Sequence, residues 1–194
     1  MPKSQGSGQA LVLSLDEANR IIEACSPAMR AVFSFARCTA ARINEVLSLR
    51  WENVTPTCVV LPKRIVKGKK KTREVPVNDR LAAEVRAWRE QWENTYTRQP
   101  VGSDFLFPGR GRETDQKHLT RWAADKALRK TCKQLEIEGA STHSWRRTSL
   151  SNANDAGISL RVLQAISGHS SLDVLSRYLQ TSDTQKRQAA NAFG

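Results

Sequence analysis

Residues 143–178 read HSWRRTSLSNANDAGISLRVLQAISGHSSLDVLSRY, and this stretch is the most informative part of the sequence. It places His143 and Arg146 three residues apart at a predicted helix start, where two side chains with that spacing share one face. Gly168 and His169 follow, and Tyr178 comes nine residues after that histidine. The pattern around them is helical and breaks at glycines. We therefore expect a mostly helical region that carries one constellation of polar side chains.

Upstream of this stretch, the sequence predicts further helices and a β-hairpin. Ser14 and Glu17 form a capping box at the start of the first helix. Apolar periodicity predicts three more helices, over 28–38, 42–50 and 78–92. Strand patterns cover 57–61 and 72–77, and a short strand is expected over 105–107. The expected fold class is α+β, mostly helical with a small β-sheet or hairpin.

The turn of the predicted hairpin is strongly basic. Between positions 63 and 73, seven of eleven residues are cationic, namely Lys63, Arg64, Lys67, Lys69, Lys70, Lys71 and Arg73. Charges of one sign at a hairpin tip suit contact with a phosphate backbone, although many charge runs are only solvated loops. We expect these side chains, together with Arg147, to contact DNA.

The composition favours a polyanionic partner and excludes several classes of protein. The 194 residues contain 31 Lys and Arg against 19 acidic residues, a formal charge of +12. No apolar run is long enough to span a membrane, and the amino terminus is too weak for a secretory signal. The four cysteines are far apart, which indicates reduced thiols in a cytoplasmic protein.

The constellation is suited to chemistry at a phosphodiester. Arg42, at another predicted helix start, and Arg146 can grip non-bridging oxygens with forked hydrogen bonds. A hairpin lysine can protonate a leaving alkoxide, and the hydroxyl of Tyr178 can attack phosphorus. No metal-ligand cluster is visible, and this chemistry needs none. Each residue alone is more often structural, so the order and spacing carry the hypothesis.

At these positions the sequence resembles the catalytic domain of the tyrosine recombinases, also called the phage integrase family. The matching segments are H-x-x-R at 143–146, Gly168-His169, Tyr178, ARINEVLSLRW at 41–51 and KGKKKTREVPV at 67–77. The resemblance covers roughly residues 14–185. It implies the DNA breaking-rejoining fold of that family.

The resemblance also implies roles at the phosphate. Tyr178 would be the nucleophile that forms a covalent 3′-phosphotyrosyl bond with DNA. Arg42 and Arg146 would clamp the scissile phosphate, and His169 would donate a further hydrogen bond. The only other tyrosine, Tyr96, lies outside any matching motif.

Three more roles are implied for proton transfer and support. His143 would act as acid and base on the tyrosyl or attacking hydroxyl oxygen. Lys67 would be the general acid for the 5′ oxygen, with Lys69 as a rival because the hairpin is one residue longer than usual. Glu45 would support the arginine cluster from behind.

The implied function is a site-specific recombinase or integrase that acts on double-stranded DNA without metal, ATP or cofactor. Such enzymes oligomerise on DNA, up to a tetramer, and some use accessory DNA-bending proteins. Two alternatives remain open: strand passage like that of a type IB topoisomerase or a resolvase, and a non-catalytic DNA-binding regulator on the same fold.

We expect three segments along the chain: a flexible amino-terminal segment over 1–13, the catalytic domain over 14–180, and a tail over 181–194 that can dock on another protomer. Family members usually carry a helical DNA-clamping domain ahead of this one, so the chain is either an excised domain or a natural minimal enzyme. Two departures stand out. Ala40 lies in a turn that often has glycine, and Trp145 stands where leucine is common.

Overall fold

The computed structural model describes residues 10–66, 71–109, 117–176, 178–179 and 183–193. The helices in these ranges are α1 Leu15–Glu23, α2 Pro27–Thr39, α3 Ile43–Leu47, α4 Asp79–Tyr96, α5 Arg121–Gln134, α6 Thr142–Asp155, α7 Leu160–Ser167, α8 Leu172–Ser176 and α9 Asp183–Ala192. A short 3-10 helix covers Trp51–Asn53, and the strands are β1 Cys58–Leu61 and β2 Arg73–Pro76. The predicted class, mostly helical with one small sheet, is confirmed.

Side-chain caps explain where several helices begin. The hydroxyl of Ser14 accepts from the Glu17 backbone N–H at 3.1 Å, and the Glu17 carboxylate accepts from the Ser14 N–H at 2.7 Å. This reciprocal pair is the predicted capping box, and it is confirmed. The helix predicted over 42–50 is shorter, because Arg42 is its N-cap and the chain leaves the helix after Leu47.

The two strands form an antiparallel hairpin whose alternation places one arginine inside. Val59 pairs with Val75, and Leu61 pairs with Arg73. Directly opposed residues point to the same face of a sheet, so these four side chains share the buried face. The prediction of a third strand over 105–107 is wrong. Phe105 forms only an isolated β-bridge with Arg50, and residues 105–107 form no strand.

The core is built around α2. This helix packs against α1, α3, α4, α5 and α6, and its Phe33 ring stacks on the Trp145 ring of α6 at a centroid distance of 5.3 Å. The indole of Trp145 thus fills an interior position. A second, smaller apolar cluster consists of Ala40, Leu150, Leu163 and Leu175. It lies beside the candidate site described below.

The packed domain begins before the predicted boundary at Ser14. Leu13 is buried, and its backbone N–H donates to the Thr148 hydroxyl at 2.8 Å. The Leu11 N–H donates to the carbonyl oxygen of Gly139 at 3.1 Å. The prediction of a flexible segment is therefore wrong for residues 10–13.

In the described ranges, no helix combines the length and the apolar character that crossing a bilayer requires.

Candidate active site

Arg146 is the centre of the site, and the backbone holds its guanidinium. The side chain projects from α6 and is buried, with Nη1 donating to the Ala40 carbonyl at 2.6 Å. Its Nη2 donates to the Ser167 carbonyl, the last of α7, at 2.8 Å. Ala40 has a φ of +48°, a left-handed conformation that glycine adopts more easily. In this conformation the turn presents the Ala40 carbonyl to Arg146.

Glu45 organises a second part of the site. Its Oε1 pairs with Nη1 of Arg42 at 3.0 Å, and its Oε2 pairs with Nη2 of Arg73 at 2.7 Å. The Arg42 backbone N–H also donates to Oε2 at 3.0 Å. Burial raises the pKa of Glu45, but the charge of Arg73 and the charge and hydrogen bonds of Arg42 outweigh burial and lower it. Glu45 is therefore a fixed anion between two arginines.

His169 follows α7 and faces Arg146. Its Nε2 lies 3.0 Å from Nη2 of Arg146, and its Nδ1 lies 2.7 Å from the Ser167 hydroxyl. Burial and then the charges of Arg146, Arg42 and Arg73 lower the pKa of His169 to about 3. The imidazole is consequently neutral near pH 7, where it acts through hydrogen bonds rather than through charge.

Tyr178 closes the group from the chain that follows α8. Its ring centroid lies 4.7 Å from that of His169 and 5.7 Å from the guanidinium carbon of Arg146. The Ser151 hydroxyl donates to its backbone carbonyl at 3.3 Å, and the ring packs against the second apolar cluster. Tyr178 therefore has the packing role expected of a partly buried tyrosine, and its ring also lies against His169 and Arg146.

The site has an excess of positive charge. Among the described residues, three arginines, Arg42, Arg73 and Arg146, surround the carboxylate of Glu45. Burial and the charges of Arg42 and Arg73 lower the pKa of Arg146 to about 9. An anion bound at this site would relieve the repulsion, so the arrangement is suited to holding a phosphate.

The structure thus brings together four of the six predicted catalytic side chains, Arg42, Arg146, His169 and Tyr178, with Glu45 behind them. His143 lies on the exposed side of α6, one turn before Arg146. Lys67, Lys69 and Lys70 lie outside the described residues.

The remaining predicted DNA contacts divide by exposure. Lys63 and Lys71 are exposed beside the hairpin turn, and exposed Arg64 pairs with Glu52 at 3.0 Å. Arg73 and Arg147 are buried instead, so their burial gives no support to the predicted contact of these two side chains with DNA. Strand alternation turns Arg73 inward, and Arg147 donates to the Ala10 carbonyl at 2.6 Å.

Sequence reasoning missed Ser167, whose backbone carbonyl accepts from both Arg73 and Arg146. A signal for it exists, because Gly168 marks the end of α7 with a φ of +67°. The last carbonyls of a helix have no partner inside the helix, so side-chain donors are expected there. Within the described ranges, no group of three or more His, Cys, Asp or Glu could hold a metal ion.

Comparison with known proteins gives the same fold. The sequence model of the phage integrase family matches residues 12–185. The integrase of Salmonella phage P22 is 25% identical over 186 residues, which cover 92% of this chain and 46% of the phage protein. A crystal structure of XerA recombinase matches with a TM-score of 0.74 at 21% identity, over 96% of this chain and 66% of that chain.

A third similar protein is the Tn1549 transposon integrase, solved in complex with transposon right end DNA. Its TM-score is 0.75 at 14% identity, over 96% of this chain and 67% of that chain. The chain spans less than half of the length of the curated relatives that it matches. The structural likenesses confirm the fold that the resemblance implied.

Proposed function

Because this chain belongs to the phage integrase family, we propose that it is the catalytic domain of a site-specific DNA recombinase that forms a covalent bond between Tyr178 and DNA. The observation that carries the proposal is the approach of the Tyr178 ring to His169 and Arg146, inside a group with surplus positive charge. A nucleophile beside an anion-binding cluster is what phosphoryl transfer requires. The substrate is double-stranded DNA.

The first step is binding of the scissile phosphate. Arg42 and Arg146 donate to its non-bridging oxygens and stabilise the charge that develops at phosphorus. His169 donates a further hydrogen bond to the phosphate, for which one ring nitrogen exchanges its present contact with Arg146 or Ser167. Glu45 keeps Arg42 oriented through the 3.0 Å ion pair. Burial strengthens these interactions, since charges attract more strongly where water is excluded.

The second step transfers the DNA strand to the protein. The Tyr178 hydroxyl oxygen attacks phosphorus, and the bond from phosphorus to the 5′ oxygen breaks. The tyrosyl proton passes to His143, and Lys67 gives a proton to the departing 5′ oxygen. A 5′ hydroxyl then attacks the 3′-phosphotyrosyl ester in the reverse sense, which rejoins a strand and frees the tyrosine. One phosphodiester is exchanged for another, so no ATP or other cofactor is consumed.

The hairpin and the tail supply contacts beyond the phosphate. Exposed Lys63, Arg64 and Lys71, with Lys69 and Lys70, bind the phosphate backbone next to the cleavage site. Strand exchange requires several protomers, up to a tetramer, and the tail over 181–194 docks on a neighbouring protomer. Accessory proteins that bend DNA assist the assembly.

Two other functions use the same fold. A type IB topoisomerase-like or resolvase role shares the phosphotyrosine step and differs in its outcome. A DNA-binding regulator lacks the covalent step altogether. Supercoiled plasmid relaxation without recombinant products favours the first, and binding without adducts favours the second.

The proposal is tested by trapping the covalent adduct on nicked DNA. A library of duplexes carries a random segment with a nick just beyond it, so that the short strand released by cleavage diffuses away and rejoining stops. Wild type and Tyr96→Phe should retain labelled DNA after detergent, and Tyr178→Phe should retain none. The proposal fails if Tyr178→Phe forms adducts, or if wild type binds duplexes and traps nothing.

A further inference from the structure

Arg73 is a buried arginine that the proposed chemistry does not use. It is the first residue of β2 and follows the hairpin turn directly. Its side chain is only 5% exposed, because it shares the inward face of the sheet with Val75. A cation at such a position requires partners in the protein, so its contacts indicate what it does.

The contacts of Arg73 bridge the two phosphate-binding arginines. On one side, Nη2 donates to Oε2 of Glu45 at 2.7 Å, and the other oxygen of that carboxylate holds Arg42. On the other side, Nη1 donates to the carbonyl of Ser167, which also accepts from Nη2 of Arg146 at 2.8 Å. The guanidinium of Arg73 therefore contacts both the carboxylate that binds Arg42 and the carbonyl that binds Arg146.

The end of α7 is shaped to admit this side chain. A Cβ on Gly168 would lie 2.6 Å from Cδ of Arg73 and 3.0 Å from its Nη1. Only glycine at position 168 leaves that space while also adopting a φ of +67°. Nη1 also donates to the Ile166 carbonyl at 3.2 Å. Strand β2 therefore directs Arg73 inward, and the end of α7 provides both the space and the acceptors for its guanidinium.

We propose that Arg73 is a positioning residue that fixes the separation of Arg42 and Arg146 by bridging Glu45 to the carboxyl end of α7. The inference rests on the proposed function, since it concerns the same phosphate site. The planar fork of an arginine can serve two acceptors in fixed directions, whereas the ammonium of a lysine is a point charge on a flexible stem. Arg73 acts through its neighbours and is not itself assigned a contact with DNA.

The first test compares Arg73→Lys and Arg73→Met with wild type on the nicked duplex recovered by adduct trapping. The outer-shell partners that orient metal ligands are typically worth about 10- to 100-fold in activity, and Arg73 orients Glu45 and the end of α7 in a comparable way. We expect Arg73→Lys to lower the cleavage rate at saturating DNA by that factor, with the Kd for DNA changed less than about 3-fold. Arg20→Met, which removes an exposed ion pair with Asp16, should leave both values unchanged.

The lysine variant keeps the buried charge, so it decides the matter even if Arg73→Met does not fold. Unchanged cleavage by Arg73→Lys overturns the proposal, because charge alone would then suffice. A loss confined to DNA affinity also overturns it.

The second test uses pH, which a purely structural role would leave unchanged. An opposite charge at this distance lowers the pKa of a carboxyl group. Without Arg73, burial of Glu45 is opposed by Arg42 alone, so the pKa of Glu45 should rise. As the pH falls, cleavage by Arg73→Met should therefore decline at a higher pH than cleavage by wild type. Adding Glu45→Gln should abolish that difference.

The outcomes separate this inference from the proposed function. The pKa of Glu45 can be followed by carbon NMR in the free protein, with no DNA present. If it is the same in wild type and Arg73→Met, the positioning role is overturned whatever the activity. If wild type forms no adduct but the pKa of Glu45 rises in Arg73→Met, the proposed function fails while the coupling between Arg73 and Glu45 stands.

Discussion

His169 shows how burial sets the state of a single residue in the site. Its ring is enclosed by Arg146, Ser167 and Tyr178, and burial is the largest cause of its low pKa of about 3. A protonated imidazole would add a fourth cation to a cluster that already has three arginines. The neutral form is therefore the one that folding selects: Nε2 accepts from the guanidinium of Arg146, which can only donate, and Nδ1 carries the proton toward the Ser167 hydroxyl.

This protonation state predicts how stability depends on pH. The folded pKa of His169 lies below the unfolded value of about 6.5, so the unfolded state binds the proton first as the pH falls. The stabilisation is complete above pH 6.5 and is lost progressively below it, toward pH 3. Between pH 7 and pH 5.5, we expect this residue to lower the free energy of unfolding by about 1 kcal/mol.

Urea unfolding of wild type and His169→Gln at the two pH values measures that difference. The variant should lose about 1 kcal/mol less than wild type over this interval. An equal decline in both proteins would mean that folding does not lower the pKa of His169.

At the scale of an element, the carboxyl end of α7 is the part of the backbone that positions most of the site. Its final carbonyl accepts from Arg73 and Arg146, and His169 follows it after one glycine. The partial negative charge at a helix carboxyl end favours cations there. One helix end therefore fixes two arginines and the histidine at once.

Two glycines provide a matched test of this helix end. Gly168 and Gly157 both have positive φ, at +67° and +83°, but a Cβ added at Gly157 would meet no atom within 4 Å, whereas one at Gly168 would collide with Arg73. Gly157→Ala should cost about 1–2 kcal/mol, the strain of a left-handed alanine. Gly168→Ala should cost about 3 kcal/mol or more, because it also displaces Arg73 from a buried ion pair.

Chemical denaturation gives both free energies of unfolding, and adduct formation gives the effect on the site. Gly157→Ala should retain cleavage and Gly168→Ala should lose it. Equal costs for the two variants would contradict the close packing of Arg73 against α7.

The ends of helices could be predicted where the sequence carries a local signal. The direction of a strand side chain was harder to predict, because it depends on how the two strands pair. The capping box at Ser14 and the glycine at position 168 specify helix ends locally, and both occur as the sequence indicates. The inward turn of Arg73 depends on register with β1, and an arginine in a basic run reads first as a surface charge. Alternation with Val75 would have shown its direction, since residues two apart on a strand share a face.

At the scale of the whole molecule, the net charge of +12 governs the encounter with DNA. Each phosphate neutralised by a cation releases counterions, so affinity falls steeply with salt. With about six phosphate contacts, the affinity for duplex DNA should fall about 10³-fold between 50 and 200 mM salt. Binding that does not depend on salt would contradict the proposed role of the basic hairpin.

The same titration separates surface cations from buried ones. Lys63→Gln and Lys71→Gln should each reduce the slope of log affinity against log salt by about one. Arg147→Gln should leave the slope unchanged, because Arg147 is buried and donates to the Ala10 carbonyl. A reduced slope for folded Arg147→Gln would restore that residue as a DNA contact.

For the molecule as a whole, the order and spacing of residues along the chain predicted the site better than the chemistry of each residue taken alone. The spacing of Arg42, His169 and Tyr178 along the chain pointed to one site, and the fold brings them into one network with Arg146 and Glu45. Backbone acceptors such as the Ala40 and Ser167 carbonyls carry no side-chain signature, so their part in holding the arginines required the three-dimensional structure.

The most direct test of the central claim is to identify the atom that joins protein to DNA. The trapped adduct is digested with nuclease and trypsin, and the peptide carrying a nucleotide is sequenced by mass spectrometry. We expect a nucleotide 3′-phosphate on Tyr178, in the tryptic peptide YLQTSDTQK over 178–186, and a free 5′ hydroxyl on the released strand. A nucleotide on Tyr96 or on any other residue, or a linkage through a 5′ phosphate, would contradict it.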